Sequence, residues 1–443
     1  MKTKQETSVI LSNLGIESLN MMQETANAAI LSNKNTLLLS PTGSGKTLAF
    51  LLPILELLNP DVKTVQCLIL SPARELALQI EQVWKKMATN FKVNVCYGGH
   101  PMSVEIQNLS NPPALLIGTP GRIADHLDRQ SFKTEGIKIL VLDEFDKSLQ
   151  LGFHEQMAFI TKKMHHIDKR ILVSATEGIE IPKFTKVSSP VILDFVSDSE
   201  EVPALTMKIV LSDDKDKIES LYYLICSLKS ESALIFCNHR DACERICEEL
   251  NAQGIETGFY HGGMEQDDRE RALIQFRNGS VNYLVTTDLA ARGLDIPAMN
   301  HVIHYHLPYK ADEFLHRNGR TARMKATGTA YLLFHVDEPR PDYVDKSIKV
   351  LAVSKSNPLP KAPKFKTLYI GGGKKNKLNK TDIVGFFSQK GKLEKDDLGI
   401  IEVKDFMSFA AVKTQKIPDL LALIKDEKMK GKKYKIEVAH KKN

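Results

Sequence analysis

Short, wholly apolar runs punctuate this chain, and each is followed by a stretch with helical periodicity. "TLLLS" (36–40) leads into "KTLAFLLPILELL", "VQCLIL" (65–70) leads into "ARELALQIEQVWKKM", and "VNVCY", "ALLIG", "KILVL" and "RILVS" follow. An unbroken apolar run that short is the mark of a strand covered on both faces, which only helices packed on both sides of a parallel sheet provide. The rhythm restarts after the acidic stretch "VSDSEEVPAL" (196–205), with "MKIVL", "ALIFC", "ETGFY", "NYLVT", "HVIHY" and "TAYLLF". Two parallel-sheet α/β domains are therefore predicted, over 1–197 and 206–353. A lysine- and proline-bearing stretch, "SKSNPLPKAPKFK" (354–366), then suits an extended, semi-rigid connector, with the linker placed at 354–365. Beyond it, over 366–443, the predicted order is β-α-β-β-α-β, a small α+β domain of ferredoxin-like topology.

Composition narrows the class. Of 443 residues, 42% are hydrophobic and 26% charged, as in ordinary globular proteins. The longest apolar stretch, "LAFLLPILELL" (48–58), contains Pro53 and Glu56 and is well short of the roughly 20 residues of a membrane span. "MKTKQETSVI" lacks the apolar core of an export signal, so a cytoplasmic protein with no membrane partner is expected. Six cysteines are too few for a disulfide framework. Cys237, His239, Cys243 and Cys247 invite a zinc reading, but no second paired-ligand segment completes it, and "CNHRDACERICEEL" reads as a strand end and an amphipathic helix. Charge is unevenly spread. From Lys361 onward there are 21 lysines, no arginine and 10 carboxylates, an excess of eleven positive charges; with +6 for the whole chain, the preceding residues carry a net −5. A polyanion is the expected partner of the tail.

"SPTGSGKT" (40–47) follows a strand and opens a helix. Pro41, Thr42, Gly43, Ser44, Gly45, Lys46 and Thr47 thus form a phosphate-binding loop: the glycines let backbone N–H groups turn inward, the helix N-terminus adds partial positive charge, Lys46 reaches β/γ oxygens, and the Thr47 hydroxyl ligates Mg²⁺. Ser40 stands where the strict pattern has glycine. Such a loop needs a carboxylate on a nearby strand to hold the metal and a group to activate water. "LVLDEFD" supplies both, with Asp143 toward Mg²⁺, directly or through water, and Glu144 as the base.

With these motifs the chain resembles the DEAD-box RNA helicases over about 15–335. "PARELALQ" (72–79), "GG" (98–99), "TPGR" (119–122), "SAT" (174–176), "LIFCNHR" (234–240), "HGGMEQDDR" (261–269), "TTDLAARGLDIP" (286–297) and "HRNGRTAR" (316–323) carry the likeness. The resemblance implies two tandem RecA-like domains, ATP and Mg²⁺ as cofactors, and RNA as partner. It implies that Gln23 reads adenine, that Asp146, Ser174 and Thr176 couple nucleotide state to closure, and that Asp295 contacts the nucleotide. Arg320 and Arg323 are implied as arginine fingers. RNA is implied at Arg74, Gly99, Thr119 and Arg122 in the first domain and at His239, Gln266, Arg269, Thr287 and Arg292 in the second. Three departures stand out: no Phe, Tyr or Trp precedes Phe50, where the family stacks adenine; Ala73 and Ala322 replace a Thr and a Gly; and Phe145 replaces the Ala of "DEAD". Phe145 is expected to pack within the first domain.

The tail resembles the RNA-recognition-motif-like (RRM-like) C-terminal domain of the DbpA subfamily, on "TLYIGGGKKNKLNKTDIVGFF", "FMSFAAV" and "KMKGKKYKIEV". In that subfamily the domain tethers the core to a hairpin in large-subunit ribosomal RNA. Tyr369 and Phe409 are either base-stacking or plain sheet residues, and Lys374, Lys375, Lys377, Lys432 and Lys433 form the expected RNA surface. The resemblance implies a monomeric RNA-dependent ATPase that unwinds short duplexes during ribosome assembly, with pre-ribosomal particles as partners. The alternatives are, from a different class, an assembly factor acting as an ATP-gated RNA clamp or placeholder with little unwinding and, third and disfavoured by the RNA-like tail, a DNA translocase.

Overall fold

The computed structural model describes residues 4–41, 43–176, 178, 180–196, 205–288, 299–321 and 328–439. They fall into two units, one carrying a seven-stranded sheet and the other a six-stranded and a four-stranded sheet.

In the first unit, β1 (Asn35–Leu39), β2 (Cys67–Leu70), β3 (Val93–Cys96), β4 (Leu115–Gly118), β5 (Ile139–Leu142), β6 (Lys169–Ser174) and β7 (Val191–Asp194) are ordered β3-β4-β2-β5-β6-β1-β7. All are parallel. The apolar runs are buried because helices cover both faces. Leu38, Ile69, Ile117 and Val141 pack with the helix Lys46–Leu57 on one side, and Leu37, Leu68, Leu140 and Leu172 pack on the other. β7 has no counterpart among the predicted strands: it is an edge strand with Val191 and Ile192 exposed, so burial never shaped its sequence. Phe145 is 1% exposed and lies in the second of these clusters beside Leu70, Leu142 and Met157, as expected for it.

In the second unit, β8 (Leu205–Ser212), β9 (Ala233–Phe236), β10 (Thr257–Tyr260), β11 (Tyr283–Thr286), β12 (His301–His304) and β13 (Gly328–His335) form a parallel sheet ordered β10-β11-β9-β12-β13-β8. Cys243 and Cys247 are buried on the inner face of the helix Arg240–Ala252, in this sheet's core, as the amphipathic pattern predicts.

The same unit carries β14 (Phe365–Ile370), β15 (Leu398–Val403), β16 (Ser408–Lys413) and β17 (Ile436–Val438), antiparallel and ordered β15-β16-β14-β17, with helices Lys380–Gln389 and Ile417–Ile424. This is the ferredoxin-like arrangement. Strand alternation sends Leu368, Ile370, Ala410 and Val412 toward the helices' Ile383, Phe387 and Leu420, and Thr367, Tyr369 and Phe409 to the opposite face. The connector is anchored in its C-terminal part: Lys361 N donates to Ser230 Oγ at 2.7 Å, and Thr414 N donates to Lys364 O at 3.0 Å. The connector between the two parallel-sheet domains, at 197–204, lies outside the described residues.

Truncating a buried ring leaves a cavity that a packed core closes only in part. Phe145→Ala is expected to destabilise the first unit by about 3 to 5 kcal/mol. Urea unfolding followed through Trp84, the chain's single tryptophan and 1% exposed in the same unit, measures this. A loss below about 0.5 kcal/mol, typical of surface positions, would contradict the core placement.

Candidate functional site

Parallel strands all end on the same edge of a sheet, so the loops after them gather there. In the first unit these loops hold "SPTGSGKT" after β1, Arg74 after β2, Gly99 after β3, Thr119 and Arg122 after β4, and "DEFD" after β5, while Ser174 closes β6.

The phosphate loop is held from within and from the start of the helix Met21–Ser32. Lys46 Nζ donates to Ser40 O at 2.6 Å and to Pro41 O at 3.2 Å, and Ser44 Oγ donates to Pro41 O at 2.8 Å. Gly45 has a φ of +91°, a conformation that demands glycine, and a Cβ there would displace the Gln23 amide, 2.5 Å away at Nε2, from the loop. Gln23 Nε2 donates to Gly45 O at 3.3 Å while its Oε1 accepts from Asn20 N at 3.0 Å. Asn20 completes the bracket. Its side chain caps the helix Met21–Ser32 and its Nδ2 donates to Ser44 O at 3.1 Å. Asn20 was not among the predicted residues, yet Asn-x-x-Gln before a helical run is a capping-box signal that points to it. Thr47 stands in the first turn of the helix Lys46–Leu57, and Thr42 lies outside the described residues.

Asp143 and Glu144 are buried at 6% and 7% exposure. Burial, then the neighbouring Glu144 charge, pushes the Asp143 carboxyl up to about 7, with Lys46 pulling the other way. Glu144 has a φ of +43°, a left-handed conformation costly for a side-chain-bearing residue, and strain of this kind concentrates at functional sites. Among the described residues its buried Oε2 has no hydrogen-bond partner. Two crowded, desolvated carboxylates, with Lys46 close enough to act on Asp143, form an oxygen donor set that suits a hard divalent cation with bound water. The structure also brings the predicted coupling residues together: Thr176 Oγ1 donates to Asp146 Oδ2 at 3.0 Å, and Thr176 N donates to Ser174 Oγ at 3.1 Å.

The first-unit RNA candidates converge on the loop Tyr97–His100. A Cβ on Gly99, φ +89°, would meet Arg74 Nη1 at 2.7 Å. Arg122 Nε donates to Tyr97 O at 3.0 Å, and its Nη2 donates to His100 O. Thr119 begins the helix Pro120–Asp128 that carries Arg122. Glu105, 2% exposed and absent from the sequence reading, ties this corner together: it lies 2.8 Å from His126 Nε2 and 3.4 Å from Arg122 Nε, and accepts from Tyr97 N at 3.2 Å. Only its partners' spacing in three dimensions reveals it.

In the second unit His239 follows β9, Gln266 follows β10 and Thr287 follows β11, again on one sheet edge. Arg269 donates to Gln266 Oε1 across one turn of the helix Gln266–Arg277. Arg317, fully buried and not predicted, joins three of the loops: it pairs with Asp288 at 2.6 Å, donates to Asn238 Oδ1 at 2.9 Å and donates to His306 O at 2.6 Å. Its signal was its place beside the predicted arginines in "HRNGRTAR". His304, buried beneath this cluster, is pushed down to about 3 by burial and by Arg317, so it stays neutral and bonds Asn318 at 2.9 Å. Arg320 is 1% exposed. Arg292, Asp295 and Arg323 lie outside the described residues.

In the tail, the sheet face of Tyr369 and Phe409 is covered by the helix Gln266–Arg277. Phe409 is 1% exposed against Ile274 and Ala439, and the Arg271 guanidinium lies over the Tyr369 ring at 5.8 Å. Of the two readings left open for these rings, the packing one holds. Around them Thr367 Oγ1 meets Ser280 Oγ at 2.7 Å and Asn278 Nδ2 at 3.2 Å, and Arg277 pairs with Glu402 at 2.7 Å. Lys374, Lys375, Lys377, Lys432 and Lys433 are all exposed.

Comparison with known proteins agrees with this layout. The DEAD/DEAH box helicase family matches residues 20–183, the helicase conserved C-terminal domain 216–325, and the DbpA RNA binding domain 367–438. The ATP-dependent RNA helicase DbpA of Bacillus subtilis (strain 168) is 30% identical over 97% of this chain and 97% of its own length. The protein of the same name from Escherichia coli (strain K12) is 29% identical over 97% and 96%. Among solved structures, S. cerevisiae Dbp5 bound to RNA and ADP BeF3 matches with a TM-score of 0.66 and 27% identity, covering 74% of this chain and 87% of that one. No helix among the described residues is long and apolar enough to cross a membrane. With a phosphate loop and paired carboxylates on one sheet edge, a second RecA-like sheet, and an end-to-end relative, the chain belongs to the DEAD-box ATP-dependent RNA helicases, in the branch carrying a DbpA RNA-binding domain.

Proposed function

We propose that the chain hydrolyses ATP in response to RNA and opens short duplexes on large-subunit ribosomal RNA during ribosome assembly, in the cytoplasm. The observation that carries the hydrolytic part is the strained, buried Glu144, whose Oε2 has no hydrogen-bond partner among the described residues, beside an Asp143 carboxyl pushed upward by burial. Thr47 and Asp143 would hold Mg²⁺, Asp143 partly through water, and the ion supplies charge to the phosphate oxygens. Lys46 and the backbone N–H groups of 41–47 bind the phosphates. Glu144 orients the attacking water and takes its proton. Gln23 reads adenine from its place against the phosphate loop, with no aromatic upstream to stack on the base. Asp146, Thr176 and Ser174 transmit nucleotide state, and Asp295, Arg320 and Arg323 complete the site from the second domain when the halves close.

RNA is held by Arg74, Gly99, Thr119 and Arg122 in 1–197 and by His239, Gln266, Arg269, Thr287 and Arg292 in 206–353. The domain over 366–443 adds Lys374, Lys375, Lys377, Lys432 and Lys433. The ribosomal target rests on the likeness of this domain to the DbpA RNA-binding domain and on its lysine excess.

Two measurements test the scheme. Glu144→Gln keeps its shape but loses the base, so RNA-stimulated ATP hydrolysis should fall by about 10²- to 10⁴-fold while ATP and RNA still bind. Normal turnover would remove Glu144 from the role, and hydrolysis without strand displacement of a short duplex by the unmodified protein would favour a clamp. Because the tail acts through lysines, its contribution to RNA affinity should fall steeply with salt, with a log–log slope of roughly −0.7 per phosphate neutralised on single strands. Lys374→Glu/Lys375→Glu/Lys377→Glu should flatten that slope. An unchanged slope would place RNA elsewhere.

A further inference from the structure

An RRM-like sheet ordinarily offers its aromatic pair to bases, and here Phe409 is buried against the helix Gln266–Arg277 while Tyr369 is half-buried beneath the Arg271 guanidinium. The domain nevertheless presents one exposed aromatic among its described residues. Phe406, in the turn between β15 and β16, is 69% exposed, whereas Tyr369, Phe386, Phe387, Phe409 and Tyr434 are buried or half-buried.

Its surroundings are not those of a loose hairpin tip. Lys404 N donates to Met407 O at 2.8 Å, closing the turn. Lys374 N donates to Lys404 O and Lys375 N donates to Asp405 O, both at 2.8 Å, so the turn is bonded backbone to backbone to the "GGGKKNK" segment. A Cβ on Gly373 would sit 2.2 Å from Lys404 O and 2.7 Å from Asp405 O; the approach is too close for any residue but glycine. One position earlier, a Cβ on Gly372 would strike the Tyr434 ring at 2.3 Å, and Lys430 Nζ donates to Lys377 O at 3.0 Å. The glycines thus let three segments distant in sequence meet at one edge of the domain. Two bring exposed lysines, Lys374, Lys375 and Lys377 from one and Lys430, Lys432 and Lys433 from the other. The third brings Phe406. A large exposed apolar ring on a backbone-braced turn at the edge of a lysine cluster fits a ligand that is anionic along its backbone and offers flat apolar faces, which is single-stranded nucleic acid.

Building on the assignment of the tail to RNA, we propose that Phe406 stacks on an unpaired base of RNA whose phosphates are held by the flanking lysines. It takes the part that Phe409, buried, and Tyr369, covered by Arg271, do not. The site therefore favours RNA with looped-out or single-stranded bases over plain duplex.

Fluorescence anisotropy on the full chain without ATP tests this with two probes, a hairpin RNA with an unpaired loop and a blunt duplex of the same phosphate count. Stacking of one base corresponds to roughly 5- to 150-fold in affinity. Phe406→Ala should weaken hairpin binding within that range and leave duplex binding unchanged. Phe406→Trp should restore it, and its emission should be quenched by the hairpin, read above the buried Trp84. Hairpin affinity unmoved by Phe406→Ala, an equal loss on both probes, or unquenched Phe406→Trp emission would overturn the stacking role. Lys374→Glu/Lys375→Glu separates the two levels. If the lysine variant weakens binding and Phe406→Ala does not, only the stacking proposal fails; if neither does, the assignment of the tail to RNA fails with it.

Discussion

The C-terminal edge of a parallel sheet is the constraint on which the rest depends. Every strand of both large sheets runs the same way, so every loop that follows a strand emerges on one side, where backbone groups are not used up in ladder hydrogen bonds. Residues as far apart in sequence as Gln23, Lys46, Asp143 and Thr176 become neighbours by topology, and the chemistry needs no special folding beyond it. The cost appears as local strain and desolvation. Glu144 sits in a left-handed conformation and Asp143 is buried with a raised carboxyl, and the stiff apolar strands beneath them keep both from relaxing.

Much of this was legible in the sequence, for a physical reason. Strands covered on both faces are written as continuous apolar runs, so β1 to β6 and β8 to β13 could be read directly, whereas β7, exposed on its edge, carries no such imprint. Phosphate-loop chemistry is equally local, since glycines, lysine and threonine must stand at fixed spacings. What could not be read were residues acting through partners distant in the chain. Glu105 looks like any helix glutamate until its position between His126 and Arg122 is known, and Arg317 becomes a hub only when three loops close around it. Asn20 lies between these cases, because its capping signature is local while its bond to Ser44 is not.

The tail shows the same limit more sharply. Alternation along β14 and β16 distinguishes an inner from an outer face, but whether the outer face meets water, RNA or protein is not encoded in either strand. Its contact with the helix Gln266–Arg277 and the turn after it depends on complementarity between residues 87 to 125 positions apart. Thr367, Ser280 and Asn278 are buried together and hydrogen-bonded, and Arg277 pairs with Glu402. Apolar contacts such as Phe409 on Ile274 tolerate sliding, whereas a shift of one position would leave these polar groups buried and unpaired, at about 1 to 3 kcal/mol each. The polar set therefore selects one docked register. The helix that receives the tail also begins with Gln266 and carries Arg269 in its first turns, so the tail domain is held on the second RecA-like domain in a fixed orientation. Gly372, Gly373 and the connector bonded to Ser230 hold the other side of that arrangement, and small size at those two glycines is what the geometry requires.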